Sequence, residues 1–521
     1  MSYDEFGNPT RTIDYGEPGA ADDVETKTEY TACTDTHIVG IARAEDVYGG
    51  GRRMRSSEAE VDCATGDVTR HTAKQIHGKE ADAPEFSVKD SVTDLEYHDT
   101  GTLKSVKSPE NHRGQRYQRT YEYDGPTGTY VTSTKDSFGY RSTASYDLRF
   151  GAQTESLDIN EQKIATTYDP VGRVTSVTGP HDHKSGRPTI AFAYHPGAAV
   201  PYAVTRHLDR GSDGKVKDDT IDTVTFVDGL GRVVQTKKDA EVAGKDVMTV
   251  SGRSVYDVLG RVVEQYYPVT EPKGDTNTTF DPDVDTVRPT TITYDVLDRP
   301  LRTRLPDETV TTLEYGFAED RADTVQFETV ATDAKGNPTR SYTDVRQQKT
   351  AVREPGAKKD DAPIWTSYEY DALGQLSKVE DNEKNTTKSE YDDLGRRRVI
   401  DSPDTGRTTT VHDPAGNAVR VITANLAEKH KAIEYKYDLN RLEEIKYPVF
   451  KDNNVRYTYA AIRAPSTTPP AGSRRSRTPR AWRPGSTAPW ARSPRRPAPS
   501  PACSTTAPSP PATATTASAG S

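Results

Sequence analysis

Apolar and polar side chains alternate along this chain in short runs, and each run stops at the same punctuation: an aromatic residue, an Asp, two variable residues and a Gly. The pattern reads YDPVGRVTSV from Tyr168, FVDGLGRVV from Phe226, YDVLGRVVE from Tyr256 and YDVLDRPLR from Tyr294. It continues as YDALGQLSKV from Tyr370, YDDLGRRRVI from Tyr391, HDPAGNAVRV from His412 and YDLNRLEEI from Tyr437. Weaker copies begin at Tyr3, Tyr97, Tyr123, Tyr146 and Thr332. After each turn, positions such as Val174 and Ser176, or Val262 and Glu264, recur at period two, which predicts strands. No convincing amphipathic helix interrupts the series. The step from Tyr370 to Tyr391 equals that from Tyr391 to His412, the mark of a repeat architecture.

The unit is a hairpin by its own chemistry. Asp169 can accept hydrogen bonds from the backbone two residues on, Pro170 presets φ, and Gly172 supplies the left-handed conformation that closes the turn with a bulge. Asp298 and Asn440 stand where Gly is missing, and both types tolerate positive φ. The positions that should build these turns are Tyr168, Asp169, Gly172 and Arg173, then Tyr256, Asp257, Gly260 and Arg261. Tyr370, Asp371 and Gly374 follow, then Tyr391, Asp392, Gly395 and Arg396. Twenty-eight Tyr against ten Phe suggests rings with one packed face and a hydroxyl near water. The expected fold is all-β: hairpins stacked into one long, one-sided sheet.

Composition supports a thin architecture. Apolar residues make up 32% of the 521, or about 39% with the 37 glycines, under the roughly 45–50% (glycine included) of compact domains. No run approaches the ~18 apolar residues of a membrane helix, and the start, MSYDEFGNPT, reads as lacking a signal peptide. Residues 461–521 carry nine Arg but no Lys, Asp, Glu or Tyr, with thirteen of the 35 prolines. This tail is expected to be disordered. Its loss of Lys, Asp and Tyr together fits out-of-frame translation of GC-rich DNA better than a Pro-rich linker or a basic nucleic-acid arm. The remaining 460 residues hold 60 basic and 79 acidic side chains, a net charge of −19, which argues against nucleic acid or an anionic membrane as partner. Three segments follow: 1–95 with degenerate repeats, 96–460 with the main repeats, and the 461–521 tail. Cys33 and Cys63 could form a disulfide if the protein is exported, or could remain half-buried thiols.

The YDxxGR units resemble the YD repeats of the RHS family, which includes bacterial polymorphic toxins, B and C components of insecticidal toxin complexes, wall-associated proteins and teneurins. The resemblance covers roughly residues 97–460. It implies YD hairpins that form a spiral sheet and hollow β-shell enclosing a C-terminal toxin or other cargo, with the cargo or toxin-complex subunits as partners and a secreted or cell-surface location for the full-length family member. The conserved closing segment and toxin of encapsulating members are not found in these 521 residues.

Candidate chemistry is sparse. His181 and His183 could seed a metal site, but Pro180, Lys184, Ser185 and Gly186 mark a polar loop. Tyr48-Gly49-Gly50-Gly51-Arg52 lacks the following Lys-Ser/Thr of a phosphate loop and reads as a turn. The repeat aspartates could pair as glycosidase carboxylates, yet one per turn is what the hairpin itself requires. The repeat arginines are expected to pair with neighbouring aspartates. No cofactor and no catalytic residue are expected. The leading functional expectation is an encapsulation module; the alternative is a surface adhesin whose tyrosines bind glycans.

Overall fold

The computed structural model describes residues 1–459 except 18, 20–21, 77–84, 212–213, 283–286 and 359–360, together with 474–475. The expectations for 461–521, disorder and frameshift alike, otherwise lie outside the described residues. Among the described residues the fold is all-β: two antiparallel sheets of 20 and 18 strands, neither closed into a barrel. Each strand pairs with the next in sequence over long stretches, as hairpins joined by short turns must. The first sheet runs through residue 95 without a break, since Val68–Ala73 pairs with Ser91–Tyr97 and Ser91–Tyr97 with Leu103–Glu110. A single four-residue α-helix, Ala424–Ala427, lies among the described residues.

The expectation of one continuous sheet is corrected. Pairing stops after Lys245–Val250, whose free side is taken by the later strand Val269–Pro272. The second sheet opens with Ser254–Tyr256 against Val262–Gln265. The deepest packing lies beside this break. Val204, Val224 and Phe226 form a buried cluster with Tyr202, Val234 and Phe280 against it. Burying a side chain such as Phe226 contributes about 1.5–3 kcal/mol. Polar residues share that depth. Lys237 is 1% exposed and donates to both Glu271 oxygens, at 2.7 and 2.9 Å, and to the Thr276 carbonyl. Gln235 bonds the Asp281 backbone twice. These contacts hold the 273–281 segment over the sheet.

The second sheet also returns to the first. Turns at one end of its hairpins meet turns at the opposite end of early hairpins, at sequence separations of 301–332. Arg346 reaches Asp14 and Asp22 (3.1 and 2.9 Å). The Ile76 N–H donates to Asp393 Oδ2 (2.8 Å), the Ser91 hydroxyl to the Pro414 carbonyl (2.9 Å) and the His112 N–H to Asp413 Oδ2 (3.0 Å). Asn111 donates to the Leu439 carbonyl, and the Leu439 N–H donates to Gln115 Oε1. The contacts advance together along both stretches of chain, so successive hairpins of one winding are seated on successive hairpins of the other.

Candidate functional site

The repeated element is the turn, and its geometry starts from the aspartate. Asp169 Oδ1 accepts the N–H groups of Val171 (3.0 Å) and Arg173 (2.9 Å), while Oδ2 accepts Arg173 Nε (2.7 Å). Asp257 does the same with Leu259 and Arg261, and Asp392 with Leu394 and Arg396. At Asp371 a glutamine, Gln375, takes the place of the arginine (2.8 Å). The backbone closes underneath, the Gly172 N–H donating to the Asp169 carbonyl and the Asp169 N–H to the Arg173 carbonyl. Gly172, Gly260, Gly374 and Gly395 have φ of +85°, +82°, +76° and +76°, where a Cβ is strained. Pairing slips by one residue between Thr167 and Tyr168, which places a bulge at the aromatic position. Asp298 takes positive φ (63°) in place of Gly. In the last repeat, where Asp438 pairs directly with Arg441 and the turn is one residue shorter, positive φ falls on Leu439 (54°) rather than Asn440, and Asn111 and Gln115 from the neighbouring winding bond both backbone groups of Leu439.

The aromatic residue is a clamp between hairpins. The Tyr168 hydroxyl donates to the Gln153 carbonyl, Tyr256 to Val233, Tyr294 to Val262 and Tyr391 to Leu376, at 2.7–2.9 Å. In each case the acceptor lies two residues past the positive-φ position of the preceding turn of this type. The same turn's arginine stacks on that ring: Arg232 lies 4.4 Å from the Tyr256 ring centroid and Arg261 5.0 Å from Tyr294, while Arg173 lies 4.5 Å from Tyr194. A guanidinium over a ring adds about 0.5–1 kcal/mol at an exposed site. Tyr370 is half-buried, and burial raises the pKa of its hydroxyl.

Electrostatics follow from the bonding. The Arg261 backbone N–H, outweighing desolvation, acts with its guanidinium and the Leu259 N–H to hold Asp257 below the usual carboxylate range. Asp228 is lowered in the same way by Arg232. Carboxylates so engaged are ionised acceptors committed to the turn, poorly suited to donating a proton at neutral pH.

The other sequence candidates take structural places. His181 and His183 are exposed on either side of Asp182, which accepts from Thr189 and pairs with Arg210, while His183 Nε2 meets the Lys163 carbonyl. Gly49 ends a strand where an added Cβ would collide with the Ala372 methyl across the windings, so close packing accounts for it. Cys33 and Cys63 are bonded to each other, with Cα atoms 5.4 Å apart, tying two neighbouring connections of the first sheet. Sequence reading missed the Lys237–Glu271 pair and the contacts between windings. Lys237 carries no local signal, since its partner stands 34 residues away.

This architecture is an all-β repeat: hairpins in series, clamped by tyrosines and seated winding on winding. Comparison with known proteins agrees at the level of fold. The crystal structure of TcdB2-TccC3-Cdc42 superposes with a TM-score of 0.66 at 14% identity, over 85% of this chain and 30% of that one. That of TcdB2-TccC3 gives 0.64 at 15%, over 84% and 28%. The Photorhabdus luminescens Tc holotoxin pore gives 0.66 at 15%, over 89% and 32%. The chain thus has the fold of the RHS-type shells of Tc toxins and spans about a third of the length of those chains. Residues 202–294, which hold the buried cluster and the break between sheets, match a family described as "Domain of unknown function (DUF6443)". No curated protein matches the sequence.

Proposed function

We propose that this chain is a non-catalytic wall segment of a YD-repeat shell whose role is to sequester a C-terminal toxin or effector until delivery, in company with toxin-complex subunits. The observation that carries this reading is the seating of late turns on early ones, Arg346 on Asp14 and Asp22 through to Leu439 on Asn111 and Gln115. A sheet that winds back onto itself builds a wall. The Cys33–Cys63 bond fits a secreted or cell-surface location, where disulfides persist. A glycan-binding role draws less support, because the repeat tyrosines spend their hydroxyls on carbonyls and a ring face on arginine.

The test is protease protection. The gene is expressed with the coding DNA beyond codon 460 restored in the frame that continues the repeat, and the product is digested with and without denaturant. A C-terminal segment that survives until the β-sheets unfold is the expected result. A segment cut as fast as the same peptide alone overturns the proposal, as does DNA in which no frame resumes the repeat.

A further inference from the structure

One hairpin of the first sheet lacks the tyrosine that fastens its neighbours. The Tyr30 hydroxyl donates to the Pro9 carbonyl (3.3 Å), Tyr97 to Val68 (3.1 Å) and Tyr123 to Leu103 (3.0 Å), each tying a hairpin to the one before it. Between Tyr30 and Tyr97 the equivalent place belongs to Val61. Pairing slips by one residue at Glu60 and Val61, as it does at Glu29 and Tyr30 and at Glu96 and Tyr97. The bulge is kept and the hydroxyl is gone.

The disulfide stands at that gap. Cys63 lies in the turn that follows Val61, and Cys33 in the connection that follows Tyr30. The bond therefore joins the same two neighbours that a tyrosine at 61 would join. Weaker contacts accompany it: the Thr36 hydroxyl donates to the Cys63 carbonyl (2.6 Å), and Ile38 and Ile41 close over Gly66. The two sulfurs are unequally placed. Cys33 is buried, at 9% exposure, while Cys63 is exposed. Both line an open groove of about 680 Å³, with Glu29, Arg43, Arg53 and Glu58 on its walls. A thiolate arriving along the groove meets Cys63 first, and exposed disulfides are the ones that exchange readily.

We infer that Cys33–Cys63 is a reducible fastener that takes the tyrosine's place and is opened by a dithiol reductant. A thiolate of the reductant attacks Cys63 Sγ, the S–S bond breaks, and Cys33 leaves as a thiolate. The reductant's second thiolate then displaces Cys63 from the mixed disulfide. Each departing cysteine takes up the proton that a reductant thiol gave up, so two protein thiols form while the dithiol closes into its own disulfide, with two electrons passing to the protein. The hairpin of Arg52–Val61 and Val68–Ala73 is then unfastened at this end, while beyond its other end the Ile76 N–H still holds Asp393 of the second winding. A wall closed in an oxidising environment thus loosens at one hairpin on entering a reducing one, whether or not it encloses a cargo.

The experiment is hydrogen exchange on the whole chain, read by mass spectrometry before and after dithiothreitol, with the double variant Cys33→Ser, Cys63→Ser as comparison. Alkylation without denaturant scores the reduction, and iodoacetamide should reach Cys63 only after the reductant has acted. Reduction should speed exchange about tenfold or more in residues 31–41 and 61–68, and leave the segments around Tyr97 and Tyr123 as they were. The double variant should exchange at the fast rate with or without reductant, and the wild-type arms decide alone if it does not fold. A bond that resists dithiothreitol until denaturant is added overturns the inference. Unchanged exchange at 31–41 and 61–68 after reduction overturns it too, as does a folded double variant that exchanges as slowly as the oxidised chain. Exchange that rises through the whole sheet also overturns it, because the bond would then support the fold at large instead of fastening one hairpin.

Discussion

The Tyr294 hydroxyl donates to the Val262 carbonyl at 2.9 Å, across 32 residues, and thereby fastens one hairpin to the one before it. Arg261, next to Val262, lies over the same ring, so a single tyrosine is held at its hydroxyl and at its face. The aromatic in the motif is therefore a fastener between repeats as much as the end of a strand.

Tyr294→Phe keeps the ring and removes the bond. It should cost about 0.5–1.5 kcal/mol, the net worth of one hydrogen bond. Urea denaturation against the parent measures this, and an unchanged midpoint would show that the clamp contributes nothing.

Gly260 has φ +82°. Gly260→Val should destabilise the hairpin by at least about 1 kcal/mol, since a β-branched residue is strained in that region. Asp298→Asn, at a turn already free of Gly, should lose no more than the roughly 0–1 kcal/mol of an exposed ion pair. Hydrogen exchange of the amides flanking each turn would separate the two effects. Equal protection in both variants contradicts the turn geometry.

Charge pairs should divide by depth. Lys237→Ala leaves Glu271 without its buried partner and should cost about 3–5 kcal/mol. Arg173→Ala acts on an exposed pair and should cost about 0–1 kcal/mol. Thermal melting of the two variants side by side is sufficient, and similar losses would contradict a buried Lys237–Glu271 pair.

Acid should loosen the contact between windings before it loosens the turns. Burial lowers the pKa of His112 and of His412, with Asp413 opposing the shift at His112. A folded-state pKa below the unfolded value means that the unfolded chain takes up the proton first. Stability is then complete above the ordinary histidine value of 6.5 and declines as pH falls below it. The turn aspartates, also lowered, keep their contribution until pH falls below their ordinary value of 3.8. Denaturant midpoints at pH 8, 6, 5 and 3 should fall in two stages, and the paired substitution His112→Gln, His412→Gln should flatten the first. A first stage that persists in that variant assigns it to other groups.

The turn could be read from the sequence because its chemistry is local. Asp169, Val171, Gly172 and Arg173 make their bonds within five residues, so residue types at fixed spacing suffice to specify a hairpin, and repetition of the unit specifies an all-β fold. Tertiary structure alone decided what each tyrosine fastens to, where the sheet divides and which turns are covered. The hydroxyl of Tyr294 finds its acceptor 32 residues back, Lys237 finds Glu271 34 residues on, and Arg346 finds Asp14 332 residues back. Strand-to-next-strand pairing stops at Val250 because Val269–Pro272 takes the pairing edge, an outcome that no alternation of side chains encodes. Leu373 and Leu259 occupy the same place in the same motif, yet one is covered and the other bare. Burial depends on which other part of the chain, or which other molecule, arrives over the turn, and a periodic sequence gives every copy the same local instructions.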